Sequence, residues 1–209
     1  MGCTILITGF DRFPGAPINP TARLVAELAR RRRPAGVCLH RHVFATSYAA
    51  VDAELPALIA RHRPDAIVMF GLATRTKHLR IETRARNRVS IRFPDASGRV
   101  ASRPAIDPGE PARLGGRAPM HRLRAAVRAT GVAATLSCDA GTYVCNYAYW
   151  RALAATNVPP LVVFIHVPKV AAIRPRRTGK RKPIRFADLV RAGESILRVL
   201  ASVAQKVRR

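Results

Sequence analysis

Two rhythms of apolar residues alternate along this chain. Short apolar runs at 4–8 and 66–70 have the length and continuity of strands buried on both faces, and 37–44, 133–137 and 161–167 read as further strands. Between them, apolar positions repeat at three- and four-residue steps. Asn19, Pro20 and Thr21 open one such stretch, which runs to about residue 33 and is stopped by Pro34 and Gly36. A second helix, 47–62, carries Val51, Leu55, Leu58 and Ile59; others are predicted at 120–130, closed by Gly131, at 142–155 and at 186–207. The last of these has Leu189, Ile196, Leu200 and Val203 on one face, for packing on the sheet. The segment 77–117 has no helical period and carries Pro94, Gly98, Pro104, Pro108 and Gly109, so it predicts an extended hairpin or excursion at one end of the sheet. Strands alternating with helices imply an α/β fold, a mainly parallel, twisted sheet with helices on both faces. One domain spanning 1–209, without an internal repeat, is the expectation.

Composition adds limits to this outline. A length of 209 residues, 48% of them hydrophobic, suits one domain whose sheet is covered on both faces. No run of ~20 apolar residues is present, and the start MGCTILITGF lacks the basic region and cleavage site of a signal peptide, so a cytoplasmic protein without membrane contact is expected. Four cysteines, Cys3, Cys38, Cys138 and Cys145, are scattered without CxxC pairs, which argues against a metal site and against a disulfide framework. The net charge is +25, with basic clusters at 30–33 and in a loop at 173–185. No aromatic residues interleave these runs to stack bases, so the charge reads as solvated basic faces. Non-specific polyanion contact through the 173–185 loop is the residual expectation.

Candidate chemistry collects where strands end. Cys145 follows the strand that ends at Ser137 and falls in the first turn of the next helix, where unpaired amides and the helix dipole favour a thiolate. The competing reading, a buried small hydrophobe, is the commoner fate of a free cysteine and is preferred for Cys3, Cys38 and Cys138. His166 ends the run LVVFIH, at the edge where α/β folds place their sites; the alternative is a satisfied core histidine. Glu82, in RIETRARN, is a carboxylate among cations and from spacing alone reads as half of a surface ion pair.

The segments ILITGFDRFPGAPINPT, IVMFGLA, IETRARN with IRFPDASG, AGTYVCNY and FIHVP span Ile5 to Pro168. In order and separation they resemble the pyroglutamyl peptidases of type I (pyrrolidone carboxyl peptidases, peptidase family C15). The resemblance implies a three-layer α/β/α sandwich and a triad of Cys145, His166 and Glu82. It also implies a lactam pocket. Phe10 and Phe13 match ring-clamping aromatics, Asn19 a side chain that touches the lactam, beside its reading as a helix cap, and Leu72 a position offering backbone groups. Arg92 matches an arginine that assists the Cys145 amide in stabilising an oxyanion.

The implied activity is that of a cysteine peptidase acting on peptides with an N-terminal pyroglutamate, through a thioester and without metal or other cofactor. A homo-oligomer, dimer or tetramer, is carried over in the same way. Three departures stand out: Thr83 where an arginine usually follows the acid, Pro14 in place of a glycine, and Ala96 in place of an asparagine. Two other readings therefore stay open. One is a relative altered around Glu82 that keeps the fold as a binding module; the other is a basic nucleic-acid-binding protein.

Overall fold

A computed structural model describes residues 2–13, 15–33, 35–155, 161–170 and 184–207. In chain order the elements are β1 (Cys3–Phe10), α1 (Pro20–Arg30), β2 (Val37–Phe44), α2 (Tyr48–His62), β3 (Ala66–Leu72) and β4 (Leu79–Glu82). They continue with β5 (Arg84–Arg86), β6 (Arg113–Gly115), α3 (Met120–Ala129), β7 (Ala134–Ser137), α4 (Val144–Ala154), β8 (Leu161–Val167) and α5 (Phe186–Val207). The helix starts follow local chemistry. Asn19 accepts a hydrogen bond from the Thr21 amide at the head of α1, and Ser47 accepts one from the Ala50 amide at the head of α2.

Six strands form the central sheet in the order β2-β1-β3-β8-β4-β7. The first four run parallel; β4 is antiparallel to β8 and parallel to β7, so the last two strands point the other way. Side chains alternate between two cores. Ile5, Ile7, Val68, Val163 and Ile165 pack with Leu24, Leu123, Ile196 and Leu200 of α1, α3 and α5. Leu6, Ile67, Met69, Val162 and Phe164 pack with Val51 and Leu55 of α2 and with Ala148 and Trp150 of α4. The layers are therefore α1, α3 and α5, then the sheet, then α2 and α4. Among the described residues no helix is long and apolar enough to cross a membrane.

The segment 77–117 differs from expectation. Only its later part is an excursion, in which β5 and β6 pair antiparallel through Arg84↔Gly115, Ala85↔Leu114 and Arg86↔Arg113. Its first strand, β4, belongs to the central sheet. The sequence LRIE hides this, because only Leu79 and Ile81 join a hydrophobic core while Arg80 and Glu82 turn two charges to the other face. A charged face mimics a loop when charges are assumed to need water.

Candidate active site

The alternation that builds the cores also gathers the candidate residues. Val162 and Phe164 face the α2/α4 layer, and so does His166, two residues further along β8. On β4, Leu79 and Ile81 face the opposite layer, so Arg80 and Glu82 share the α4 side. On β3, Ile67 and Met69 face α4, and the same parity applies to Gly71. The sheet register then aligns Gly71 with His166 and Glu82 with Phe164.

Cys145 comes to this surface from above, as the second residue of α4 after its N-cap Tyr143. Its sulfur lies over Gly71, where an added Cβ would stand 2.8 Å from Cys145 Sγ and 2.6 Å from Phe164 Cζ. Glycine is required here for close approach, so the thiol rests directly against the strand beside His166. His166 Nδ1 is 2.8 Å from Glu82 Oε1. Placing the Nδ1 proton toward the carboxylate leaves Nε2 as the basic nitrogen. The imidazole also leans on the Phe164 ring, with centroids 4.8 Å apart.

Glu82 is 0% exposed, which excludes a surface ion pair. A permanent cation also meets it: Arg80 Nη2 lies 3.0 Å from the same Oε1. The same arginine nitrogen donates to Ser137 Oγ at 2.8 Å and to the Asp139 carbonyl. The Tyr149 hydroxyl donates to the Glu82 carbonyl oxygen at 3.0 Å. Thr83, which stands where the resemblance led us to look for an arginine, donates its hydroxyl to the Ser137 carbonyl instead.

Electrostatics correct one expectation. Burial, and secondarily the negative charge of Glu82, push the Cys145 thiol up to about 12, and its hydrogen-bonded backbone only partly offsets this. The helix N-terminus does not outweigh desolvation, so the resting sulfur is a thiol that needs a base. Two other cysteine readings also change. Cys3 is buried as expected, but Cys38 and Cys138 are exposed. The former lies on β2 and the latter just beyond β7, the two edge strands of the sheet among the described residues.

The remaining candidates lie around this centre. Phe10 ends β1, buried against Phe44 and Phe164 at 5.8 and 6.3 Å between centroids. Phe13 is partly exposed and packs on Tyr143 at 5.9 Å. Leu72 ends β3, next to Gly71. The Asn19 side chain is engaged within its own loop: Oδ1 accepts from the Thr21 amide and hydroxyl, and Nδ2 donates to the Asp11 carbonyl. Its capping role is thus the one visible in the contacts. Arg92 is exposed, with its amide hydrogen-bonded to Ser90 Oγ, on a loop joined to the head of α4 by Ser90 N to Thr142 O and Tyr143 Oη to Pro94 O.

Arg80 and Gly71 were missed in the sequence. An i, i+2 pair Arg80 and Glu82 would have signalled a shared strand face had 79–82 been read as a strand. Among the described residues, no group of three or more His, Cys, Asp or Glu side chains is arranged to hold a metal. A cavity of about 1080 Å³ lies elsewhere, between α2, the end of α4 and residues 107–114, and neither Cys145, His166 nor Glu82 lines it. The basic loop 173–185 falls outside the described residues except for Ile184 and Arg185.

Known proteins are similar to this one along nearly the whole chain. The family model for pyroglutamyl peptidase matches residues 3–193. A pyrrolidone-carboxylate peptidase of Gloeobacter violaceus is 32% identical over 200 residues, covering 95% of this chain and 97% of that protein. One from Thermococcus kodakarensis is 31% identical over 205 residues, covering 90% and 98%. Among solved structures, pyrrolidone carboxyl peptidase from Thermococcus litoralis superposes with a TM-score of 0.86 at 26% identity, covering 99% of this chain and 96% of that one. The enzyme from Thermus thermophilus gives 0.80 at 30% identity, covering 93% and 99%. With a family model that matches residues 3–193 and relatives 31–32% identical over nearly the whole chain, this chain belongs to the pyroglutamyl peptidase family.

Proposed function

We propose that this protein is a type I pyroglutamyl peptidase, a cysteine hydrolase that cleaves the amide bond after an N-terminal pyroglutamate. The observation that carries the residue assignment is the buried Glu82–His166 pair, 2.8 Å apart, on the sheet face against which the Cys145 sulfur rests. A thiol held protonated by burial rests over Gly71, the β3 residue in register with His166, and that base is oriented by a carboxylate.

The reaction follows from these positions. His166 Nε2 takes the Cys145 proton as the sulfur attacks the pyroglutamyl carbonyl carbon. The resulting oxyanion is stabilised by the Cys145 amide at the head of α4, assisted by Arg92 from its loop. As the C–N bond breaks, His166 returns the proton to the departing amine, leaving a thioester. Water, deprotonated by the same imidazole, then releases pyroglutamate and restores the thiol. Glu82 holds the ring and balances the imidazolium in both halves.

Pyroglutamate is a neutral, flat lactam, so an apolar pocket with a few polar backbone groups suits it. Phe13 and Phe10 supply ring surface, Leu72 supplies backbone groups, and Asn19 shapes the loop that carries Phe13. A cytosolic setting is supported by the exposed thiols of Cys38 and Cys138, which persist in reducing compartments. A pyroglutamyl-linked fluorogenic amine tests the proposal. The parent protein is expected to release the fluorophore, and a folded Cys145→Ala variant is expected to release none. Failure of the folded parent to cleave it would favour the binding-module reading, and full activity in the Ala variant would remove Cys145 from the mechanism.

A further inference from the structure

Glu82 is fully buried, yet its hydrogen bond and its ion pair converge on one oxygen. Oε1 meets His166 Nδ1 at 2.8 Å and Arg80 Nη2 at 3.0 Å, while Oε2 has no hydrogen-bond partner among the described residues. Arg80 and Glu82 lie two residues apart on β4, hence on one face, and Arg80 is anchored to the neighbouring β7 through Ser137 Oγ and to the Asp139 carbonyl beyond it. The other titratable groups near Glu82 come from α4. They are the Cys145 thiol, whose ionisation Glu82 opposes, and Tyr149, which donates to the Glu82 backbone carbonyl and feels Arg117 as well. Asp139 directs its own carboxylate away, to the Arg86 guanidinium and the Gly141 amide. Arg80 is therefore the permanent positive charge in contact with the buried carboxylate.

That charge matters for the first chemical step. A buried carboxylate with no cation beside it draws a proton onto an adjacent imidazole, and a protonated imidazole cannot accept the proton of a thiol. We propose that Arg80 is a positioning residue of this reaction, compensating the Glu82 carboxylate so that His166 rests neutral and is available as a base. The inference rests on the assignment of Cys145, His166 and Glu82 as the reaction centre.

The test compares Arg80→Gln and Arg80→Lys with the parent in kcat/KM across pH. Removing the charge in Arg80→Gln should move the acid limb upward by about one pH unit, so that activity below the parent limb falls about tenfold. Arg80→Lys keeps the charge but loses the guanidinium that bonds Ser137 and Asp139, so its limb should stay while its melting temperature drops. A purely structural strap would lower the melting temperature of both and move neither limb, which would overturn the proposal. A limb that falls in Arg80→Gln, or one that rises as far in Arg80→Lys, would overturn it too. Proton uptake by the His166 ring, followed by NMR in a Cys145→Ala background, reads the same coupling without turnover. Movement there without pyroglutamyl hydrolysis in the parent protein would reject the proposed function and leave the Arg80–Glu82–His166 coupling standing. Hydrolysis without that movement would reject the coupling alone.

Discussion

At the scale of single residues, the reaction centre is governed by what burial does to charge. Cys145 would ionise at an ordinary value of 9.0 in water, and desolvation first, with Glu82 second, raises it to about 12. A thiol held more tightly in the folded state contributes stability that is whole below its unfolded value and declines as pH rises toward the folded one. Stability should therefore fall from about pH 9 upward by about 1 kcal/mol per pH unit on account of this group. Urea unfolding at pH 8 and pH 10 checks it: the Cys145→Ala variant should lose less stability between the two than the parent. Equal losses would mean that the sulfur is not desolvated. Gly71 is the complementary case, a residue important for what it lacks. A Cβ there would press on Cys145 Sγ and the Phe164 ring, neither of which can swing into solvent without leaving the site. Gly71→Ala is expected to destabilise by about 1–3 kcal/mol. It should also reduce kcat/KM at least tenfold by displacing the sulfur; kinetics with a thermal melt will report both.

At the scale of elements, the loop after β5 is positioned by one carboxylate. Asp95 accepts from the Ser97 hydroxyl at 2.6 Å, the Ser97 and Arg99 amides at 2.9 and 3.0 Å, and the Tyr48 amide at the head of α2 at 3.0 Å. Burial alone would raise the Asp95 carboxyl, but these donors outweigh it and hold it below its ordinary value. A depressed carboxyl contributes stability that is present above its unfolded value and lost as pH falls through the folded one. Asp95→Ala should thus cost about 1–3 kcal/mol at neutral pH and less in acid, where the parent loses the same bonds. Because this loop carries Arg92 and reaches Tyr143 through Pro94, a rise in KM should accompany the loss. An unchanged KM with the expected stability loss would separate the loop from substrate binding. β4 illustrates the other side of element reading. Four residues with two charges look like a turn until their polar partners, His166 on β8 and Ser137 on β7, are seen.

Across the whole molecule, charge is unevenly matched: 37 Lys and Arg face 12 Asp and Glu, a net +25. Among the described residues the acids are drawn into specific pairs, Arg151 with Asp52 and Asp107, Arg31 with Glu27, Arg86 with Asp139, which leaves a basic surface that repels itself. Screening should relieve that repulsion, so the melting temperature should rise as salt goes from about 0.01 M to about 0.2 M, where the Debye length shrinks from about 30 Å to under 10 Å. A melting temperature that falls with salt would show that attractive ion pairs, such as those of Arg151, dominate stability.

The order of strands and helices, the layers and the ends of most elements were determined by the sequence itself, because hydrophobic period, capping residues and turn formers act over a few neighbours. Asn19 and Ser47 cap the helices they precede, and Cys145 and His166 stand at the ends of the elements assigned to them. What only the tertiary structure decided depends on contacts far apart in the chain. It placed β4 in the sheet beside β8, reversed its direction, and brought Glu82 within 2.8 Å of His166 across 84 residues. It put Arg80 on the same carboxylate, left Cys38 and Cys138 exposed at the sheet edges, and protonated the thiol that the helix dipole alone would have ionised. Register, edge position and desolvation are properties of the assembled sheet, and the charge state of a side chain follows from them rather than from its neighbours in sequence.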